Sequence, residues 1–286
     1  ALDYRPGISR SEIIDAISSY DGLIIRSKQV VDKALLDRAG KLSFVGRVGS
    51  GLENVDTAEL DARGIRIYRS PEGNADAVAE HALGMLLAML NKLRLGDRMV
   101  RKMEWDREAA RGVRLAGKNI GLIGYGYAGS AFARKLSGMD VQVLAHDPFV
   151  DEFDAYAAPV EMADIKKKAD ILSYHVPLND STRYHFNRSL INEMKKPCYL
   201  INTARGPVVN TSDLLDGLAS GKVLGAALDV FENEDMLRIS KKEQEEMQRL
   251  RDFKDVILSP HVAGWNDYSK SALHDILLKK IVAGEF

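Results

Sequence analysis

Three short segments each carry one side chain suited to chemistry at a carbonyl: Arg205 in NTARGP (202–207), Glu234 in ALDVFENED (227–235) and His261 in SPHVAGW (259–265). A guanidinium can bind a carboxylate and polarise a neighbouring carbonyl, an imidazole can give or take the proton on its oxygen, and a carboxylate can tune that imidazole. Interconverting a 2-keto acid and a 2-hydroxy acid needs these three functions. Taken singly, each residue has a plainer reading. Arg205 could cap a helix or bridge domains, and Glu234 sits among Glu232 and Asp235, as in a solvated acidic loop. It is the order Arg, Glu, His, each after a strand-like run, that points to one site.

A second constellation points to a dinucleotide. Gly124, Gly126 and Gly129 form GYGYAG directly after the apolar run NIGLIG and before a helical pattern starting at Ala128. In that context the first glycine makes a tight turn, the second lets backbone approach a pyrophosphate, and the third allows close helix–strand packing, while the helix N-terminus attracts phosphate charge. Alone the pattern could be any tight loop. Asp147 ends the next strand-like run, VQVLAHD, at about the twenty-residue spacing at which a carboxylate meets ribose hydroxyls. A 2′-phosphate would meet like charge there, and no arginine follows in HDPFVDE, so NAD is expected over NADP. The plainer reading of Asp147 is a surface turn before Pro148.

The elements needed to place these residues are legible. GLIIR (22–26), SFVGR (43–47), IRIY (65–68), NIGLIG (119–124), VQVLA (141–145), DILSY (170–174), CYLIN (198–202), LGAALDV (224–230) and DVILS (255–259) alternate with helical stretches. Such apolar runs, without polar alternation, suit parallel strands covered on both faces, so the fold class is α/β with two doubly wound parallel-sheet domains. The stretch 75–95 reads as one long helix, apolar nearly all round, lying between domains or subunits, and a boundary is placed just before it near Pro71. KKEQEEMQRLR from Lys241 reads as a solvated helix. His81, on the long helix, reads as a hydrogen-bonded interdomain residue, while His146 and His185 show no partner pattern.

Composition fits this picture. The 286 residues include 40 Lys and Arg against 41 Asp and Glu, a net charge of −1 that gives no drive toward nucleic acid or an anionic membrane. Small molecules are the expected partners. Cys198, the one cysteine, reads as packed at a strand start. It cannot form an internal disulfide, no zinc-type ligand spacing exists, and a reducing, cytoplasmic setting is expected. No apolar run approaches the roughly 20 residues of a membrane span. The opening ALDYRPGISR has neither an initiator Met nor a charged-then-apolar leader, and the first strand-like run reads as a second one.

NTARGPVV, AALDVFENE and SPHVAGW together resemble the signature regions of the D-isomer-specific 2-hydroxyacid dehydrogenases, and the likeness extends to RVGSGLENVD (47–56) and HVPL (175–178). The resemblance implies a Rossmann NAD-binding domain (71–264) inserted in a flavodoxin-like substrate domain (1–70 and 265–286) that lacks its first strand. It implies that Arg205 binds substrate and polarises the carbonyl, that His261 is the general acid/base, and that Glu234 is its partner. Ser50 and Gly51 would receive the substrate carboxylate. Thr203, Asp229 and Gly264 would lie near the nicotinamide half of NAD, Val176 and Pro177 near the adenosine half, and Ala204, Arg205 and His261 would also touch the cofactor. Tyr127, Ala128, His175 and Thr182 would complete the cofactor site. Arg26 and Arg47 end strands of the first domain and match positions that face a phosphate in D-3-phosphoglycerate dehydrogenases, so oxidation of 3-phosphoglycerate is the first expectation. Glyoxylate or hydroxypyruvate reduction is the second, and an NAD-sensing binding protein of the same fold is the answer from another class. A homodimer through the cofactor domain, near Ala82 to Leu90 and Trp105, is the family habit. One departure stands out: ENEDMLRIS replaces the more frequent Glu-Pro at Glu234.

Overall fold

The computed structural model describes residues 2–284, which fall into two compact units divided at Asn74/Ala75 and Asn266/Asp267. Numbered along the chain, the strands are β1 (Gly22–Ile25), β2 (Phe44–Arg47), β3 (Arg66–Arg69), β4 (Asn119–Ile123), β5 (Gln142–His146), β6 (Ala158–Pro159), β7 (Ile171–Tyr174), β8 (Cys198–Asn202), β9 (Val223–Leu228) and β10 (Val256–Leu258). The helices are α1 (Arg10–Ala16), α2 (Lys33–Leu36), α3 (Thr57–Ala62), α4 (Ala75–Leu90), α5 (Leu93–Arg101) and α6 (Tyr127–Leu136). After these come α7 (Met162–Lys168), α8 (Arg188–Glu193), α9 (Thr211–Ala219), α10 (Lys241–Asp252) and α11 (Asp267–Ala283).

In the first unit β1, β2 and β3 form a parallel sheet in that order, with Ile25 opposite Arg47 and Arg47 opposite Arg69. One face packs on α1, α2 and α3 through Ile13, Leu35, Leu36 and Leu60, and the other on α11 through Leu273 and Leu277. Polar caps start the three short helices: Ser9 with Glu12 in a capping box, Asp32, and Asp56, each side chain accepting a first-turn amide. The register brings the C-terminal ends of all three strands, and with them Arg26 and Arg47, to one edge of the sheet.

The second unit holds a seven-stranded parallel sheet in the order β10-β9-β8-β7-β4-β5-β6. Strand order reverses between β4 and β7, and in open parallel sheets the crevice at such a reversal is where ligands bind. The alternation of inward side chains splits the core into two faces. Leu172, Tyr174, Leu200 and Leu228 pack against α7, α8, α9 and α10, while Ile120, Leu122, Ile171 and Ile201 pack against α4 and α6. Burying each such aliphatic side chain stabilises by about 1.5–3 kcal/mol, so the strand ends sit on a rigid base. Cys198 opens β8 fully buried, and burial pushes its thiol up to about 12.

Two features differ from the sequence expectation. The stretch 75–95 is two helices, because Lys92 adopts left-handed backbone (φ 51°) and the Asn91 side chain caps the Leu87 carbonyl at 3.0 Å. Nor is α4 covered all round, since Gly84 is exposed and Leu83 and Leu87 are half-buried. The two-residue strand β6 was also not anticipated, being too short to show a pattern.

Candidate active site

The glycine segment lies at the point of strand reversal. Gly124 follows β4 with φ 95°, and a Cβ there would sit 2.7 Å from the His175 carbonyl oxygen and 2.9 Å from Val176 Cγ1. A Cβ at Gly129 would collide with the Gly124 carbonyl, so the third glycine lets α6 press onto the loop. Gly126 is the N-cap of α6, which begins at Tyr127, and Tyr127 and Ala128 thus occupy its first turn with free amides. Asp147, at the end of β5, accepts from the amides of Tyr125 (2.7 Å) and Phe149 (3.0 Å), which orients its carboxylate over the same loop.

The segment after β7 closes the cradle. His175 Nε2 pairs with Ser173 Oγ at 2.8 Å, and burial pulls the imidazole down to about 4, so the ring is neutral. Its Nδ1 is buried without a partner, as is the hydroxyl of Thr203 at the end of β8. An orphaned imidazole nitrogen beside the glycine cradle, with an orphaned hydroxyl two strands along, fits a bound dinucleotide, since buried polar groups are otherwise costly to leave unpaired. Thr182 serves the loop itself: its hydroxyl donates to the Pro177 carbonyl at 2.7 Å and accepts from the Asn179 amide at 2.9 Å.

Arg205, Glu234 and His261 come together at the neighbouring strand ends. Asn202, buried as the last residue of β8, shapes the turn into Arg205. Its Oδ1 accepts from the Ala204 amide (3.1 Å) and its Nδ2 donates to the Arg205 carbonyl (2.9 Å). His261 follows β10 in left-handed backbone with φ 54°, which for a non-glycine residue costs on the order of 1–3 kcal/mol. Asp229, fully buried after β9, holds it there: its carbonyl accepts the His261 amide (2.7 Å) and its carboxylate accepts the amides of Val262 (2.9 Å) and Ala263 (2.8 Å). Gly264 lies in the turn that follows.

The His261 ring then meets Glu234, Nδ1 to Oε2, at 2.7 Å. This hydrogen bond holds the imidazole above its ordinary value, opposed by partial burial and by the charge of Arg205, whose field reaches the ring. With Nδ1 taken by Glu234, Nε2 is the nitrogen left for proton exchange.

In the first unit, Gly49 stands at φ 129° and donates its amide to the fully buried Ser70 hydroxyl (3.3 Å), shaping the turn that presents Ser50 and Gly51. Arg47 is half-buried and folds onto this turn, with Nη1 donating to the Val48 carbonyl. Asn54 ties the turn to the end of β1, its Nδ2 donating to the carbonyls of Arg26 (3.0 Å) and Gln29. Arg26 itself is exposed.

Several residues of the second unit were not singled out from sequence. Ser259 donates to the Asp229 carboxylate at 2.6 Å and pairs with His81 Nε2 at 2.9 Å, so His81 bonds within its own unit. Glu232 bridges Tyr184 and Thr211, and Tyr125 reaches Asp154. Their contacts join residues far apart in the chain, and no local sequence pattern marks them. Among the described residues no cluster could hold a metal ion, and no helix is long and apolar enough to cross a membrane.

A parallel sheet with a glycine cradle at its reversal, and an Arg–Glu–His cluster on the next strand ends, defines a dinucleotide-binding α/β protein built for work at a polar substrate atom. The chain belongs to the D-isomer specific 2-hydroxyacid dehydrogenase family, residues 83–263 matching its NAD binding domain. It is 34% identical over 236 residues to a D-3-phosphoglycerate dehydrogenase of Archaeoglobus fulgidus, covering 82% of this chain and 45% of that protein. It is 30% identical over 274 residues to a hydroxypyruvate reductase of Thermotoga maritima, covering 96% and 88%. The D-lactate dehydrogenase of Aquifex aeolicus, solved with NAD and lactic acid, superposes with a TM-score of 0.84 at 25% identity, covering 95% of this chain and 86% of that one. The chain spans about half the length of the D-3-phosphoglycerate dehydrogenases it matches (45%, 46% and 54%).

Proposed function

We propose that the protein is an NAD-dependent dehydrogenase of D-2-hydroxy acids, with 3-phosphoglycerate and 3-phosphohydroxypyruvate as its substrate pair. The observation that carries the reading is the 2.7 Å bond between His261 Nδ1 and Glu234 Oε2, with Arg205 close enough to oppose the rise in imidazole basicity. Bound nicotinamide supplies or accepts the hydride. In the direction of reduction, protonated His261 gives its Nε2 proton to the keto oxygen, while Arg205 binds the carboxylate and polarises the carbonyl. In oxidation, neutral His261 takes the hydroxyl proton. Asp229 holds the His261 turn, and the amides of Ser50 and Gly51 receive the substrate carboxylate.

In this reading 71–264 binds NAD and 1–70 with 265–286 binds substrate. Gly124, Gly126, Gly129, Tyr127 and Ala128 face the pyrophosphate, Asp147 the ribose, His175, Val176, Pro177 and Thr182 the adenosine side, and Thr203, Ala204, Asp229 and Gly264 the nicotinamide side. A cytoplasmic homodimer completes the proposal.

One observation favours a second substrate reading. Arg47 spends Nη1 on the carbonyl of Val48, which suits a residue that shapes its own turn as well as one that binds phosphate. Hydroxypyruvate or glyoxylate reduction needs no phosphate site. Purified protein mixed with NADH and a panel of 2-keto acids, followed at the nicotinamide absorbance band, should show turnover. Turnover should fall by about 10²–10⁴ in His261→Ala with NADH binding kept. Tight NADH binding with no turnover across the panel would replace the enzyme by an NAD-sensing binding protein.

A further inference from the structure

The segment that carries Glu234 touches the core through Phe231, and Glu234 itself is exposed. Behind the segment lies a cavity of about 330 Å³ bordered by Phe231, Asn233, Ile239, Met247 and Leu250. Glu234 is itself 42% exposed, and its second oxygen accepts the Phe231 amide at 3.4 Å, so the placement of its carboxylate depends on the backbone of the segment that carries it. Two residues earlier, Glu232 makes two bonds to two different elements. One carboxylate oxygen accepts the Thr211 amide at the start of α9 (2.7 Å), and the other accepts the Tyr184 hydroxyl (2.7 Å). The first bond also places negative charge at a helix N-terminus, where the backbone favours it.

Tyr184 and Thr211 are themselves fixed. The Tyr184 amide donates to the Pro207 carbonyl (2.7 Å), that of Phe186 to Val208 (3.0 Å), and that of Asn210 to Phe186 (2.9 Å), lacing the segment after β7 to the segment after β8. The segment after β9 crosses directly over Gly206, where any Cβ would collide with the Phe231 carbonyl and the Glu232 amide. Three strand-end segments therefore meet at Glu232. They include the turn of Arg205 and the segment of Glu234.

We propose that Glu232 is a positioning residue, a carboxylate strut between Tyr184 and Thr211 that keeps Glu234 on His261. The inference rests on the reading of His261 and Glu234 as an acid/base pair. A purely structural role for Glu232 would alter melting without altering the basicity of His261, whereas a strut for Glu234 must alter both. The charged groups that act on the imidazole are Glu234, Arg205 and Asp229, so loss of the Glu234 bond alone removes the largest contribution that raises it.

The test uses the whole chain with NADH. The His261 ring signal, identified by its absence in His261→Asn, is titrated by NMR in the wild type, Glu232→Ala, Glu232→Gln and Tyr184→Phe, alongside kcat and KM. Glu232→Ala should move the His261 titration to lower pH, in the same direction as Glu234→Gln, and lower kcat roughly ten- to a hundredfold with little change in KM. Glu232→Gln should restore both, because the amide keeps an acceptor for Thr211 and a donor for Tyr184; this separates the strut from the bare charge. Tyr184→Phe removes one bond and no charge, should shift the titration less, and carries the test if Glu232→Ala does not fold. A His261 titration that stays at the wild-type position in Glu232→Ala or Tyr184→Phe, while Glu234→Gln moves it, would overturn the strut. Full turnover in His261→Asn would overturn the acid/base reading instead, and would leave the titration shift as a separate result in support of the strut.

Discussion

His261 Nδ1 lies 2.7 Å from Glu234 Oε2, and the two residues reach each other from the ends of different strands, β10 and β9. The pairing fixes the sign of the pH dependence. Glu234 raises the imidazole above its ordinary value, so the protonated form persists to higher pH than in a free histidine. Reduction needs that form, so kcat/KM for a 2-keto acid should hold at low pH and fall as pH rises through the raised value. Oxidation needs the neutral form and should rise over the same range. The pair also stabilises the fold at pH below the ordinary imidazole value, and this contribution is lost as pH rises through the raised one. Glu234→Gln should move both kinetic limbs to lower pH; limbs that stay in place would remove His261 as the titrating group.

Asp147 supplies a prediction about cofactor choice. Two backbone amides hold its carboxylate over the glycine loop at 2.7 and 3.0 Å, so its charge is fixed rather than free to swing away. A 2′-phosphate beside it would suffer like-charge repulsion, which costs several kcal/mol in a fixed contact. Asp147→Ser should raise the ratio of kcat/KM with NADPH to that with NADH by roughly tenfold or more. An unchanged ratio would mean that Asp147 caps its turn and leaves the choice of cofactor to other groups.

The parts of this site that were legible in the sequence are those whose meaning is local. GYGYAG between an apolar run and a helical pattern needs Gly124 and Gly129 for reasons contained in a few residues, and the structure places both where a Cβ would collide with neighbouring backbone. The order Arg205, Glu234, His261 was visible because each follows a strand. What stayed hidden was set by packing between segments far apart in sequence. Gly206 looked like an ordinary turn residue, yet the backbone of Phe231 crosses it. Glu232 looked like part of a solvated acidic loop, yet both its oxygens are bonded. The break at Asn91 and Lys92 was hidden because apolar and helix-forming residues continue on both sides of it.

The surface of the second unit around α5 supplies a third prediction. Leu93, Val100, Met103 and Trp105 are exposed on one helix and the loop that follows it, Trp105 by 81% and Met103 by 93%. If a second copy covers it, as proposed, the wild type should sediment as a dimer at micromolar concentration. Trp105→Glu should weaken that dimer by about 2 kcal/mol or more, roughly thirtyfold in Kd, as buried interface tryptophans commonly do. A monomeric wild type would show that this patch serves something other than self-association.

Arg47 decides between the two substrate readings. Its Nη1 donates to the Val48 carbonyl beside the turn that presents Ser50 and Gly51, so the side chain has a structural task whatever the substrate. Removing it should therefore disturb the Ser50–Gly51 turn, proposed to receive the carboxylate, for every 2-keto acid to a similar degree. If the guanidinium also holds a phosphate, Arg47→Ala loses a charge-assisted bond worth about 1.5–3 kcal/mol for the phosphorylated substrate alone. The KM for 3-phosphohydroxypyruvate should then rise roughly ten- to a hundredfold more than the KM for glyoxylate. Equal rises would assign Arg47 to its turn and favour reduction of an unphosphorylated keto acid, and the same comparison in Arg26→Ala would show whether the exposed arginine at the end of β1 carries the phosphate instead.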